Sequence, residues 1–146
     1  MNNARRRTLA HELYDRLRGE DRITLVHPDE LPAHALYVYP LLVSDRVDRP
    51  LFVKNLRTLG IEAGEGYIRP HLGHYSAFKK AVVTPLPVVE ELSERALVLL
   101  YHIRPPATVR QMRWVARAIR LALDGHHTWA KQRTHLPLAP VEPGAF

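Results

Sequence analysis

The stretch Gly60-Ile61-Glu62-Ala63-Gly64-Glu65-Gly66-Tyr67-Ile68-Arg69-Pro70-His71-Leu72 decides how this chain is read. Upstream of it, Asp48 is placed to cap a helix and Pro50 sits in that helix's first turn. Phe52, Leu56 and Leu59 form its apolar stripe, and Gly60 supplies the stop. Downstream, Ile61 to Ile68 predicts a strand, loosened by Gly64 and Gly66. A helix that hands directly to a strand is the repeating step of a sheet with helices packed on it.

The same step recurs along the chain. Leu9, Leu13 and Leu17 recur every fourth position, so Ala4 to Arg18 predicts an amphipathic helix, with Gly19 beyond it. Ile23 to Val26 predicts a short strand, and His27-Pro28-Asp29-Glu30 a turn. Leu36 to Val43 is almost wholly apolar, which predicts a strand covered on both faces. Pro40 removes a ladder donor and so assigns that strand to an edge or a bulge. After Pro85 and Pro87 comes a helix with Val88, Leu92 and Ala96 on its apolar face and Glu90, Glu91 and Glu94 elsewhere. Leu97 to Ile103 predicts another main strand, closed by Pro105-Pro106. Thr108 caps a last helix whose Met112, Val115, Ala116, Ile119 and Leu123 face inward, ahead of Gly125. The expected class is two-layer α+β: a small, mainly antiparallel sheet of about three main strands covered by helices. Residues 1–125 form one domain, and 126–146, with Pro137, Pro140 and Pro143, read as a mobile tail.

Composition narrows the function classes. A length of 146 residues suits one compact domain, and 46% hydrophobic with 25% charged residues is ordinary for a globular chain. No apolar run reaches the ~18 residues that span a bilayer. The basic start (Arg5, Arg6, Arg7) is followed by a segment broken by His11, Glu12, Asp15 and Arg16, unlike a signal peptide. With no cysteine, neither a disulfide framework nor a thiolate metal site is available. A cytoplasmic location is expected, with no membrane partner. The formal charge of +6 arises from 21 basic residues of which only Lys54, Lys79, Lys80 and Lys131 are lysines. Such an arginine bias follows from GC-rich coding, and nucleic acid is the least favoured partner.

Read in order, four segments resemble the small, C-terminal domain of the DegT/StrS-type sugar aminotransferases, which use pyridoxal phosphate (PLP) to aminate nucleotide-linked keto-sugars. They are Arg6-Arg7 with Ala10 and Tyr14; Leu36 to Tyr39 followed by Asp48 to Gly60; Gly66-Tyr67-Ile68-Arg69-Pro70; and Pro87 to Arg95 with the strand and helix that follow. Together they cover about residues 4 to 124. The sequence departs from the family pattern in a shorter Pro70-to-Tyr75 loop and in Ala35, where the family often has histidine. The resemblance implies the small-domain fold of fold-type I PLP enzymes and places the loop after Gly66 beside substrate. Arg69, His71, Tyr75 and Tyr67 are then candidate substrate-binding residues, with Arg69 for a phosphate and His71 for a sugar hydroxyl.

The chemistry of PLP transamination needs a Schiff-base lysine, a carboxylate on the pyridine nitrogen and a phosphate cup. The family draws these from its large domain, and the resemblance begins almost at Met1. No lysine here lies in the family's serine-rich lysine motif, and no Gly/Ser/Thr-rich turn leads into a helix. No catalytic residue is assigned, and the chain is expected to bind no PLP and catalyse nothing alone. Its expected role is to close a substrate cleft, as half of a split enzyme or as a remnant. The expected partner is a separately encoded PLP-binding large domain, or a second copy through an exposed apolar face. No metal site is assigned: His11-Glu12 begins a zinc pattern, but Asp15 stands where the second histidine belongs. Arg110, Arg113, Arg117 and Arg120 form a basic stripe on the last helix. It reads first as a solvated face and second as an anion-binding surface. The alternative function is accordingly a non-catalytic module for a nucleotide-sugar or another anion.

Overall fold

The computed structural model describes residues 2–66, 75–78, 80 and 84–126. Helix α1 spans Asn2–Leu17 and strand β1 Ile23–Leu25, followed by a 3-10 helix at Pro28–Ala33. Strand β2 spans Tyr39–Val43, helix α2 Arg49–Thr58 and strand β3 Ala63–Gly64. Helix α3, Pro87–Glu91, runs into a π-helical turn at Leu92–Ala96, then strand β4, Leu97–Leu100, and helix α4, Val109–Leu123. The strands form one antiparallel sheet in the order β1-β2-β4-β3. The class is α+β as expected, with four strands, two of them very short.

The predicted helix signals act as caps. Asp48 accepts a hydrogen bond from the Leu51 amide at 3.0 Å, and Thr108 and Gln111 form a reciprocal capping box at α4. Gly60 carries φ +82 directly after α2, a left-handed stop that glycine adopts without steric cost. Alternation sets the core. Tyr39, Leu41 and Val43 from β2, with Val98 and Leu100 from β4, join Leu9, Leu13, Phe52, Leu56, Met112, Val115 and Ile119 in one buried cluster. Residues 40, 42, 97 and 99 take the other face, where Pro40, Leu42 and Leu97 stay partly accessible.

Four expectations need correction. Strand β2 is central, flanked by β1 and β4, and Pro40 pairs with Leu99 within it. The Ser44 amide bonds to Arg22 O at 2.9 Å, so by alternation the amides of residues 44, 42 and 40 face β1. Pairing with β1 stops at Leu25↔Leu41. The proline therefore withholds its donor one step past the end of β1, where no strand requires it. The second correction concerns α3. Its apolar face is not buried: Val88 is 68% exposed and only Ala96, in the following turn, reaches burial. The predicted strand from Ile61 narrows to two residues, and its far end falls outside the described residues. Strand β2 likewise starts at Tyr39, because Leu36 takes a left-handed φ of 48 and breaks the extended run.

The N-terminal arginines are structural. Arg5 donates to Ala107 O at 3.1 Å, Arg6 to Leu36 O at 3.3 Å and Arg7 to Pro32 O at 3.2 Å. Leu36 and Ala107 lie in irregular connections and Pro32 at the end of the 3-10 helix, where no ladder supplies a donor.

Candidate functional site

An open cleft of about 650 Å³ lies where α2, β3 and β4 meet, lined by Arg57, Glu62, Ala63, Gly64, Glu65, Gly66 and Tyr101. Its floor is the edge strand β3. The Tyr101 amide bonds to Glu62 O at 3.2 Å, which by alternation turns the Ala63 carbonyl away from β4, onto the open edge. Arg57, in the last turn of α2, donates Nε to that carbonyl at 2.8 Å. A cation here also complements the carbonyl end of the helix, and its bond occupies an edge that would otherwise offer a free acceptor. Residue 64 is closely packed: a Cβ there would lie 3.0 Å from the Tyr101 hydroxyl oxygen, which would have to give by a few tenths of an ångström.

Behind the cleft sits a buried cation. Arg49 is 2% exposed. Its Nη1 donates to Ser93 O at 3.0 Å and to Leu92 O and Leu97 O at 3.4 Å, and its Nη2 donates to Glu94 O. The carboxylate of Glu65 approaches Nη2 at 3.7 Å. One guanidinium therefore ties the start of α2 to the π-helical turn and to the strand end that enters the cleft. On the other side Arg104 Nη2 lies 3.5 Å from Glu62. His102, next to Tyr101, is held below the usual histidine range, chiefly by burial, which disfavours the charged ring. Its Nδ1 is buried without a hydrogen-bond partner among the described residues.

The predicted site residues fare unequally. Tyr67, Arg69 and His71 lie outside the described residues. Tyr75 is 42% exposed in a turn closed by the Phe78 amide on Tyr75 O at 2.9 Å, and it is not among the residues lining the cleft. Arg110, Arg113, Arg117 and Arg120 are all exposed along α4, and Arg120 donates to Arg16 O. They do not meet the cleft. Among the described residues no cluster of three metal-ligating side chains occurs, and no helix is long and apolar enough to cross a membrane.

Sequence reasoning missed Arg57, Arg49 and Tyr101. Arg49 did leave a signal: a cation in the first turn of a helix opposes the macrodipole, so it needs acceptors from elsewhere. Arg57 and Tyr101 left none, because only the sheet brings them together.

No family model matches the chain. No curated protein matches it either. Among solved structures it is similar to PseC of Helicobacter pylori, an aminotransferase involved in the biosynthesis of pseudoaminic acid. The TM-score is 0.67 at 15% identity, over 84% of this chain. The fold is aminotransferase-like. The chain spans 33% of the length of that protein, so the likeness concerns one part of an aminotransferase. The cleft lining does not fit PLP, since it offers no lysine amine for a Schiff base. Of the described lysines, Lys54 and Lys80 are both exposed and neither lines the cleft.

Proposed function

We propose that this chain serves as the cleft-closing small domain of a PLP-dependent sugar aminotransferase of the DegT/StrS type. A PLP-binding large domain, joined to it or encoded separately, supplies lysine, cofactor and phosphate cup. The observation that carries this reading is the likeness to PseC over 84% of this chain. The exposed apolar residues Leu86, Val88 and Val89 add to it, since apolar clusters left at the surface commonly mark contact faces. In this role the chain's own residues shape the wall of a pocket and exclude water; they move no proton and hold no cofactor. The substrate class proposed is a nucleotide-linked keto-sugar, and the compartment is the cytoplasm.

The test is reconstitution. Purified chain incubated with PLP, freed of the excess by dialysis and then reduced with borohydride, should carry no stoichiometric pyridoxyl-lysine and show no transamination. Addition of a cognate large domain should restore turnover. A stoichiometric pyridoxyl adduct on one lysine of the isolated chain, with transamination, would refute the proposal.

The exposed arginine face of α4 favours a second reading, a surface for a polyanion. Arg110, Arg113 and Arg117 have no acidic partner among the described residues. Binding to nucleic acid through this face requires affinity that falls steeply with salt, and a flat salt response removes it.

A further inference from the structure

The cleft at β3 holds two side chains with donor groups that have no partner among the described residues. Arg57 spends Nε on Ala63 O, which fixes the guanidinium against the sheet edge. Its Nη1 and Nη2 have no partner among the described residues. Tyr101 also lines the cleft, its hydroxyl without a partner among them and close to Gly64, where a Cβ would stand 3.0 Å from it. The two acids of the cleft are already matched, Glu62 by Arg104 and Glu65 by Arg49. Arg57 is thus the cation of the cleft that no described acid neutralises. A guanidinium held by its Nε edge presents its two Nη groups as a fork that fits the paired oxygens of a carboxylate or phosphate.

We propose that this cleft binds a small hydroxylated oxyanion, with the anionic group on Arg57 and the Tyr101 hydroxyl. The ligand's hydroxyls donate to Glu62, whose long ion pair of 3.5 Å with Arg104 leaves accepting lone pairs open. The volume of about 650 Å³ lies in the range of small-molecule sites. Sugar phosphates and sugar acids share this chemistry. The site does not depend on the aminotransferase reading, and its test uses the isolated full chain, whereas that reading is tested with a large domain.

The experiment is calorimetry on the 146-residue chain with glucose 6-phosphate, glucuronate and glucose. At least one anion should bind about tenfold or more tightly than glucose, and which one does so identifies phosphate or carboxylate as the group taken. Arg57→Gln should weaken that binding about tenfold or more, the scale of a charge-assisted hydrogen bond. Tyr101→Phe, which keeps the ring and its packing, should weaken it about threefold. Arg18→Gln, exposed just past the end of α1, should leave it unchanged. Absence of binding by both anions, glucose binding as tightly as they do, or an equal loss in Arg18→Gln would overturn the site. Should Arg57→Gln not fold, Tyr101→Phe decides: a loss sustains the proposal and unchanged affinity ends it.

Discussion

Helices α4 and α3 are both amphipathic in sequence, yet one is buried along its stripe and the other is not. In α4, Met112, Val115, Ala118 and Ile119 are fully buried, packed with α1 and α2 over one face of the sheet. In α3, Val88 and Val89 remain 68% and 40% exposed. A periodic apolar pattern states that a face prefers burial; it does not state whether the covering surface lies in the same domain. The proposed function supplies that surface for α3 in a large domain.

Substitutions can break this contrast, and the largest effect belongs to the packed side. Leu56→Ala, at a position with no exposure, should cost about 2–5 kcal/mol in denaturant unfolding. Arg49→Ala should cost about 3 kcal/mol, because the carbonyls of Leu92, Ser93, Glu94 and Leu97 lose a buried donor. It should also loosen the π-helical turn, seen as faster amide exchange there. Thr108→Ala removes the α4 cap and should cost about 1 kcal/mol. On the open side, Val88→Ser should change the stability of the isolated chain by no more than about 0.5 kcal/mol. The same change should weaken association with a large domain.

The contrast also has a pH signature. Burial lowers the folded pKa of His102 below its unfolded value, so the unfolded chain binds the extra proton first. Stability from this group is present above the ordinary histidine pKa and is lost as pH falls from there through the lowered folded value. Glu20, held low by its hydrogen bond to Arg22, adds a further loss across the carboxylate range. Melting temperature should therefore fall as pH drops from 7 toward 4. His102→Gln should flatten the upper part of that fall and leave the lower part.

Much of the packed side was legible in the sequence, for local reasons. Asp48, Gly60, Thr108 and Gly125 mark helix ends through bonds or dihedrals that span a few residues. The stripes of α2 and α4 identified their own core residues. What depends on distant chain was not legible. Pro40 assigned β2 to an edge because its sequence cannot reveal that β1 ends at Leu25. Arg57 and Tyr101 share a cleft only through the pairing of β3 with β4. The loop chosen by resemblance, Tyr67 to His71, lies outside the described residues, whereas the cleft that is described rests on neighbouring strands.

The most direct test of the account is hydrogen–deuterium exchange over residues 84–96, on the chain alone and with a PLP-loaded cognate large domain. The account predicts that this segment becomes protected in the complex, that α1 and α4 do not change, and that transamination appears with the protection. Unchanged exchange over 84–96 in a mixture that transaminates would contradict it.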